Sequence, residues 1–182
     1  MRGNLLYTVI PCYNEEEALP ETARQLALKY GQLLSSGMIG EGSRIVFVND
    51  GSKDRTWELI CALHRENPLF SGICLSRNRG HQNALLAGLM TAKDCCDASI
   101  SNYPDLQDEI KTIDNMGDSF ANGYDIVYGV RSSRATDTAF KRGTAQGFYK
   151  FMKLMGVDIV YNHADFRLMS RRALEGLSGF EE

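Results

Sequence analysis

The sequence predicts an α/β domain: a mostly parallel central sheet with helices on both faces. Short apolar, β-branched runs alternate along the chain with longer segments of helical periodicity. No internal repeat or low-complexity segment interrupts this alternation. At 182 residues the chain is long enough for one domain with its own core. Strands that alternate with helices favour parallel pairing, because each helix carries the chain back across the sheet.

The first predicted unit is a buried strand followed by an amphipathic helix. Residues 5–10 are apolar and partly β-branched, and Pro11 is predicted to end this strand. Pro20 fits the first turn of a helix, where a missing N–H costs nothing. The apolar face of that helix recurs at spacings of three and four, at Leu19, Ala23, Leu26, Tyr30 and Leu33.

The next units repeat the alternation. Residues 44–48 predict the second strand, and Trp57, Ile60 and Leu63 mark the inner face of the second helix. Residues 72–75 predict a third strand, and residues 84–90 a third helix.

The second half of the chain is predicted with the same logic. Residues 98–101 form the fourth strand, and a helix with an apolar face begins at Ile110. Residues 125–130 form the fifth strand, and residues 140–155 a long helix. The tail is predicted as a polar turn at 162–165 and a short last helix from Ser170.

Composition excludes several classes of protein. A net charge of −3 gives no reason to expect nucleic acid as a partner. The five cysteines form no C-x-x-C pair, so reduced thiols in a cytoplasmic protein are expected. The start of the chain lacks the apolar core of a signal peptide, and no apolar run approaches the roughly 18 residues of a membrane span.

Polar residues follow four of the predicted strands. These are Asn14-Glu15, Asn49-Asp50, the stretch from Asp105 to Asp108, and Arg131 with Arg134. Because the carboxyl ends of parallel strands meet at one edge, these loops are expected to lie together, where open α/β sheets bind ligands. Carboxylate oxygens there suit Mg²⁺ or Mn²⁺. The alternative is an acidic helix start that complements the helix dipole.

Five blocks of sequence match motifs that occur together in one family of proteins. Residues 9–15 match the pattern V-x-P-x-Y-N-E, and residues 48–54 the pattern D-D-G-S-x-D, with Asn49 in place of the first Asp. Residues 76–84 match the S-R-N-x-G pattern, residues 105–108 match D-L-Q-D, and residues 165–168 match D-F-R-L. In these blocks the chain resembles family 2 glycosyltransferases with the GT-A fold, and the D-F-R-L segment resembles the branch that transfers sugars onto polyprenyl phosphates.

The resemblance implies a nucleotide-sugar donor, carrying UDP or GDP, and a polyprenyl phosphate acceptor. The reaction would be one metal-assisted displacement that inverts the anomeric centre. The resemblance further implies a donor site in which Pro11, Tyr13 and Glu15 line the base pocket and Asp50 reads the base or ribose. Gln107 would orient the donor, and guanidinium groups at Arg131 and Arg134 would pair with phosphate.

The same resemblance implies the catalytic residues. Asp105 is expected to bind the divalent cation, Mg²⁺ or Mn²⁺, with Asp108 beside it, while Asp165 and Arg167 are expected on the acceptor side. Tyr103 stands where the branch usually carries the first Asp of D-A-D-L-Q-D, and a tyrosine is only a weak neutral ligand. Two alternatives therefore stay open. One is a saccharide acceptor with Asp165 or Asp108 as base, and the other is a non-catalytic nucleotide-sugar-binding module.

The resemblance also bears on location. Relatives in this branch commonly continue into membrane segments, so residues 1–182 are interpreted as a single GT-A domain without that anchoring region. The helix at 140–155 combines apolar residues with lysine and arginine, a pattern that suits a membrane surface or a core helix with a charged outer face. The protein is expected at the inner face of the membrane, and a homo-oligomer is compatible with the sequence.

Overall fold

The computed structural model describes residues 3–102, 112–130 and 163–179. These residues form six strands and five helices, in the order β1 Leu6–Cys12, α1 Leu19–Ser35, β2 Arg44–Asn49, α2 Thr56–Glu66, β3 Phe70–Cys74, α3 His81–Lys93, β4 Ala98–Ser101, α4 Ile113–Ala121, β5 Ile126–Val130, β6 His163–Ser170 and α5 Arg171–Ser178. The predicted third helix is longer at both ends than its apolar pattern indicated, because polar residues begin and end it.

The six strands form one sheet in the order β3-β2-β1-β4-β6-β5. Strands β1 to β4 pair in parallel, whereas β6 is antiparallel to both of its neighbours, β4 and β5. Strand β5 therefore runs in the same direction as β4. The predicted mostly parallel α/β sheet is confirmed, and the carboxyl ends of β1 to β5 share one edge.

Helices cover both faces of this sheet, as predicted. Helices α1, α2 and α4 bury their apolar sides against one face, where Ile10, Phe47 and Ile100 lie in the core. Helix α3 and the short α5 cover the other face, against Val9 and Val48. Strand residues thus alternate between two apolar layers, which is why central strands read as nearly continuous apolar runs.

Helix α3 approaches the sheet closely through Gly88. A Cβ atom at this position would overlap the Val9 side chain and lie 2.7 Å from Cγ2 of Val48. The absence of a side chain at Gly88 therefore sets the distance between α3 and strands β1 and β2.

The polar turn predicted at 162–165 is wrong, because residues 163–165 belong to β6. Two of its first three residues, His163 and Asp165, are polar, which hides the alternation that follows. Phe166 and Leu168 are buried in the layer beneath α4, and Arg167 points to the opposite face. Strand β6 lies between β4 and β5, so the D-F-R-L segment is an interior strand of the sheet.

The predicted end of the first strand at Pro11 is also wrong, since β1 continues to Cys12. Val9 accepts a hydrogen bond from Asn102 just beyond β4, so residues 9 and 11 direct their backbone groups toward β4. Strand β4 ends at Ser101, opposite Val9, and no strand partner remains for Pro11 on that side. The missing N–H of proline is therefore tolerated there.

All five cysteines are unpaired thiols, as predicted. Across residues 3–102, 112–130 and 163–179, no helix combines the length and apolar character that crossing a bilayer requires.

Candidate active site

The candidate site lies at the carboxyl edge of the sheet. Three of its loops, after β1, β2 and β3, fall within the described residues, together with the end of β4. The predicted residues Asp105, Gln107, Asp108, Arg131 and Arg134 lie outside the described residues, as do Tyr103 and the side chain of Asp165.

Asn14 links the loop after β1 to the loop after β2. Its backbone N–H donates to Ser52 Oγ at 3.0 Å, and its Oδ1 accepts from the Lys53 N–H at 2.9 Å. Asn14 has a φ of 55°, a left-handed conformation that asparagine tolerates better than most residues.

A second group of hydrogen bonds joins the same two loops. The N–H of Glu15 donates to Thr56 Oγ1 at 2.8 Å, and the N–H of Glu16 donates to Asp54 Oδ2 at 3.1 Å. In return, a carboxylate oxygen of Glu16 accepts from the Arg55 N–H at 3.0 Å, at the start of α2. The two loops are therefore cross-linked in both directions and form one polar unit.

This unit borders an open cleft of about 530 Å³, lined on one side by residues 14–18 and on the other by Lys53 and Asp54. Glu15 lies at the cleft. Burial raises the pKa of the Glu15 carboxyl above its ordinary value, and the nearby Asp54 carboxylate raises it further. The predicted pocket residue Tyr13 is exposed, and Pro11 is buried within β1.

Asp50 lies in the turn after β2 and is 2% exposed. Its Oδ1 accepts from the Arg79 N–H at 2.6 Å, and its Oδ2 from the Gly80 N–H at 2.9 Å. The loop after β3 is thus attached to the turn after β2. The prediction that Asp50 reads the base or ribose stays a prediction.

The end of β4 meets β6 at the same edge. Ser101 is paired with Arg167, and its hydroxyl donates to the Arg167 carbonyl at 3.4 Å. On the other side of β6, Tyr128 of β5 is paired with Arg167. The sheet therefore brings Arg167 beside the last residues of β4, directly before the predicted metal-binding stretch.

The described residues contain no group of three or more His, Cys, Asp or Glu side chains arranged to hold a metal ion. The predicted metal ligand Asp105 lies in the stretch between residues 102 and 112, which the structure does not describe. Its carboxylate, and that of Asp108, are oxygen donors of the kind that Mg²⁺ and Mn²⁺ prefer.

Comparison with known proteins assigns this chain to a family. Residues 7–178 match the family described as Glycosyl transferase family 2. The chain belongs to glycosyltransferase family 2. The predicted membership of this family is confirmed, and the match includes the described loops after β1, β2 and β3.

Two proteins illustrate how similar this family 2 domain is to known relatives. It is 50% identical over 178 residues to the protein called "Uncharacterized glycosyltransferase YkoT" of Bacillus subtilis (strain 168), covering 98% of this chain and 53% of the relative. It is 41% identical over 173 residues to the "Prophage bactoprenol glucosyl transferase homolog" of Escherichia coli (strain K12), covering 93% and 53%. The chain thus spans about half the length of the curated relatives it matches.

Solved structures confirm the GT-A fold. The mannosyltransferase PcManGT from Pyrobaculum calidifontis, solved in complex with GDP-Man and Mn²⁺, superposes with a TM-score of 0.63 at 17% identity. The match covers 98% of this family 2 domain and 48% of the mannosyltransferase chain.

Several contacts of the site carry no signal in the sequence pattern. The sequence pattern does not single out Ser52 or Thr56 as site residues, yet both accept hydrogen bonds from the loop after β1. The backbone N–H groups of Arg79 and Gly80 bind Asp50. Ser52, Arg79 and Gly80 lie in blocks that resemble the family, which is a signal that these residues matter. The blocks alone do not indicate which loop contacts which.

Proposed function

We propose that the protein transfers a sugar from a nucleotide-sugar donor to a polyprenyl phosphate. The observation that carries this proposal is the 41% identity, over 93% of the chain, to a protein named as a bactoprenol glucosyl transferase homolog. Bactoprenol is a polyprenyl alcohol, so the acceptor class is taken from that relative. The donor class is supported by the mannosyltransferase with the same fold, which was solved with GDP-Man.

The chemistry proposed is a single displacement at the anomeric carbon by the acceptor phosphate oxygen, with a nucleoside diphosphate as leaving group. A lipid phosphate is already ionised near neutral pH and needs little help from a general base. Asp165 and Arg167 are proposed for the acceptor side. Topology supports Arg167, because β6 places it next to the end of β4.

The difficult feature of this displacement is the negative charge that develops on the leaving diphosphate. A divalent cation, when bound, supplies positive charge against it. Asp105 is proposed as the residue that holds the cation, with Asp108 beside it and Gln107 orienting the donor. Arg131 and Arg134 are proposed to pair with phosphate, and Pro11, Tyr13 and Glu15 to border the base.

Calorimetry with UDP and GDP, with and without Mn²⁺, tests the donor side. Nucleotide binding should be stronger with Mn²⁺ in the parent protein, and Asp105→Ala should remove that difference. Asp94→Ala, which changes an exposed carboxylate at the end of α3, is the control and should retain it. Metal dependence that survives Asp105→Ala would show that the cation binds elsewhere.

Transfer of radiolabelled sugar to undecaprenyl phosphate or to a free saccharide tests the acceptor. We expect the lipid phosphate to be the better acceptor. Efficient transfer to the saccharide alone would favour the saccharide reading, with Asp165 or Asp108 as base.

A second candidate, a non-catalytic nucleotide-sugar-binding module, is favoured by one observation. Tyr103 occupies the position of the first carboxylate of the metal motif. Such a protein would bind nucleotide equally well with and without Mn²⁺ and transfer no sugar to either acceptor.

A further inference from the structure

Strand β3 forms one edge of the sheet, so one side of its backbone has no neighbouring strand. The Leu69 carbonyl accepts from an N–H of β2, and the Leu75 N–H donates to a carbonyl of β2, each at 2.9 Å. Because backbone groups alternate in direction along a strand, the odd-numbered residues of this segment face β2. Phe70, Gly72 and Cys74 therefore direct their N–H and carbonyl groups away from the sheet.

The outward groups of β3 are occupied at its start and open at its middle. The carbonyl of Phe70 accepts from Nδ1 of His64 at 2.7 Å, so α2 covers the start of the strand. Within the described residues, no hydrogen bond reaches the outward N–H or carbonyl of Gly72. Gly72 is exposed, and β3 contains neither a charged residue nor a proline that would block its edge. The middle of β3 can therefore pair with another strand.

A groove of about 490 Å³ lies beside this open edge, between α2 and β3. Its apolar lining comes from Trp57, Ile60 and Cys61 on α2. Ser71 and Gly72 line it from β3, so the open backbone of Gly72 borders the apolar side chains. A strand that pairs with Gly72 therefore brings its own side chains to this groove.

The same groove carries positive charge. His64 and Arg65 line it from the last turn of α2, and none of its described lining residues is a carboxylate. Among the described residues the Arg65 guanidinium forms no ion pair, and its Nε donates to the Cys61 carbonyl at 3.3 Å. A guanidinium has five N–H donors, so this one keeps capacity for a carboxylate. The groove therefore complements an acidic ligand.

We propose that the groove and the open edge of β3 bind an extended, acidic segment of a partner protein. The segment pairs with the backbone of Gly72 and adds to the sheet as a further strand beside β3. One of its apolar side chains enters the groove beside Trp57, and one of its carboxylates pairs with Arg65. In such strand addition the main-chain hydrogen bonds supply affinity and the side-chain pockets supply specificity. This interaction is independent of the proposed function.

A second copy of this chain fits the edge less well. Two copies of β3 related by a two-fold axis run antiparallel. Centred on Gly72, that arrangement would place the Phe70 carbonyl in the ladder, but His64 already occupies this carbonyl. A short segment of another protein can pair with Gly72 and Cys74 alone and leave the His64 bond intact.

The probe is a synthetic peptide of sequence Asp-Thr-Leu-Thr-Asp with both ends blocked. In an extended conformation its leucine and both aspartates share one face, and its symmetric sequence can pair with β3 in either direction. Trp57 is the only tryptophan of the chain, so its fluorescence reports on the groove. Binding should shift the Trp57 emission and slow hydrogen exchange of the Gly72 amide by about tenfold or more.

Two methylated peptides test the strand pairing itself. One is N-methylated at the leucine and the other at both threonines, so each loses N–H donors along one of its two edges only. The peptide methylated along the edge that faces β3 should bind about fivefold more weakly or worse, because it loses hydrogen bonds to the strand. The other methylated peptide should bind like the unmethylated one, and which of the two is weakened shows the direction of the added strand.

Arg65→Gln tests the charge of the groove. It should weaken binding of the acidic peptide about threefold, as expected for an exposed ion pair, and leave binding of Asn-Thr-Leu-Thr-Asn unchanged. Arg24→Gln, which changes an exposed arginine of α1, is the matched control and should bind both peptides like the parent protein. A neutral peptide that binds the parent protein as tightly as the acidic one would contradict the acidic character of the segment.

Three further results would overturn the proposal. The first is a Trp57 emission and a Gly72 exchange rate that do not respond to the acidic peptide. The second is equal affinity of the two methylated peptides, which would mean that the peptide does not add as a strand. The third is a dimer of the peptide-free protein in sedimentation, with the Gly72 amide already protected, which would assign the edge of β3 to a second copy. Nucleotide binding enters none of these measurements, so their outcome is separate from that of the proposed function.

Discussion

Asn14 combines a left-handed backbone with two hydrogen bonds to the loop after β2. Its backbone has a positive φ, and its side chain and N–H each bind the loop after β2. The left-handed backbone directs both groups toward Ser52 and Lys53. Tyr13 and Glu15, the predicted pocket residues on either side, depend on this geometry.

Substitutions at Asn14 separate the backbone from the side chain. Asn14→Gly keeps the left-handed backbone and loses the acceptor, whereas Asn14→Asp keeps the acceptor. Asn14→Ala loses the acceptor and is strained in the left-handed backbone, so it should lower stability by about 1.5–4.5 kcal/mol, the sum of one lost hydrogen bond and the backbone strain. Urea unfolding should rank the variants Asp, Gly, Ala in decreasing stability. Equal stability of the Gly and Ala variants would show that the backbone conformation contributes nothing.

Glu15 makes the stability of the cleft depend on pH. Its pKa is raised, first by burial and then by Asp54, so the folded protein holds this proton more tightly than the unfolded chain does. The stability from this group is present below the unfolded pKa and is lost as pH rises through the folded pKa.

Glu15→Gln should therefore lose less stability than the parent protein as pH rises from about 4 toward neutrality, a window set by the ordinary carboxyl pKa. Urea midpoints across this range measure the difference. Glu17→Gln, on the same loop, controls for the loss of one negative charge. Parallel pH profiles for the parent and Glu15→Gln would contradict the raised pKa.

At the scale of elements, the position of α3 depends on the absence of one side chain. Gly88→Ala would force a methyl group against Val9 and Val48 and should destabilise the fold by about 1–3 kcal/mol. Gly31→Ala is the matched control in α1, where a Cβ meets nothing within 4 Å. That variant should gain up to about 1 kcal/mol from helix propensity. Thermal unfolding of both variants checks the opposite signs.

Element prediction succeeded where apolar pattern and tertiary position agreed. Strands β1, β2 and β4 are buried on both faces, and their apolar runs predicted them. Strand β6 was not predicted, because His163 and Asp165, two of its first three residues, are polar. The prediction that Pro11 ends β1 was wrong for a different reason. Proline is tolerated in β1 because β4 ends before it, and this depends on how the two strands pair.

At the scale of the molecule, the sequence predicted which loops meet but not how they are joined. Parallel strands bring their carboxyl ends together, so the convergence of the Asn14 and Asp50 loops followed from topology alone. The loops after β1, β2 and β3 are joined by hydrogen bonds between residues 29 to 41 positions apart. Such pairings depend on the register of β1, β2 and β3, which spacing along the chain does not encode.

The position of β6 sets the order in which the sheet can be completed during synthesis. The first four strands emerge from the ribosome with all their mutual pairings available. Among the described strands, β4 then has one unpaired edge, and β5 has no partner until β6 is made. Both wait for residues 163–170, which insert between them. A nascent chain that stops earlier exposes β4 as an open edge able to pair with another chain. Completion of the sheet beside β4 and β5 is thus a late event that depends on the D-F-R-L strand.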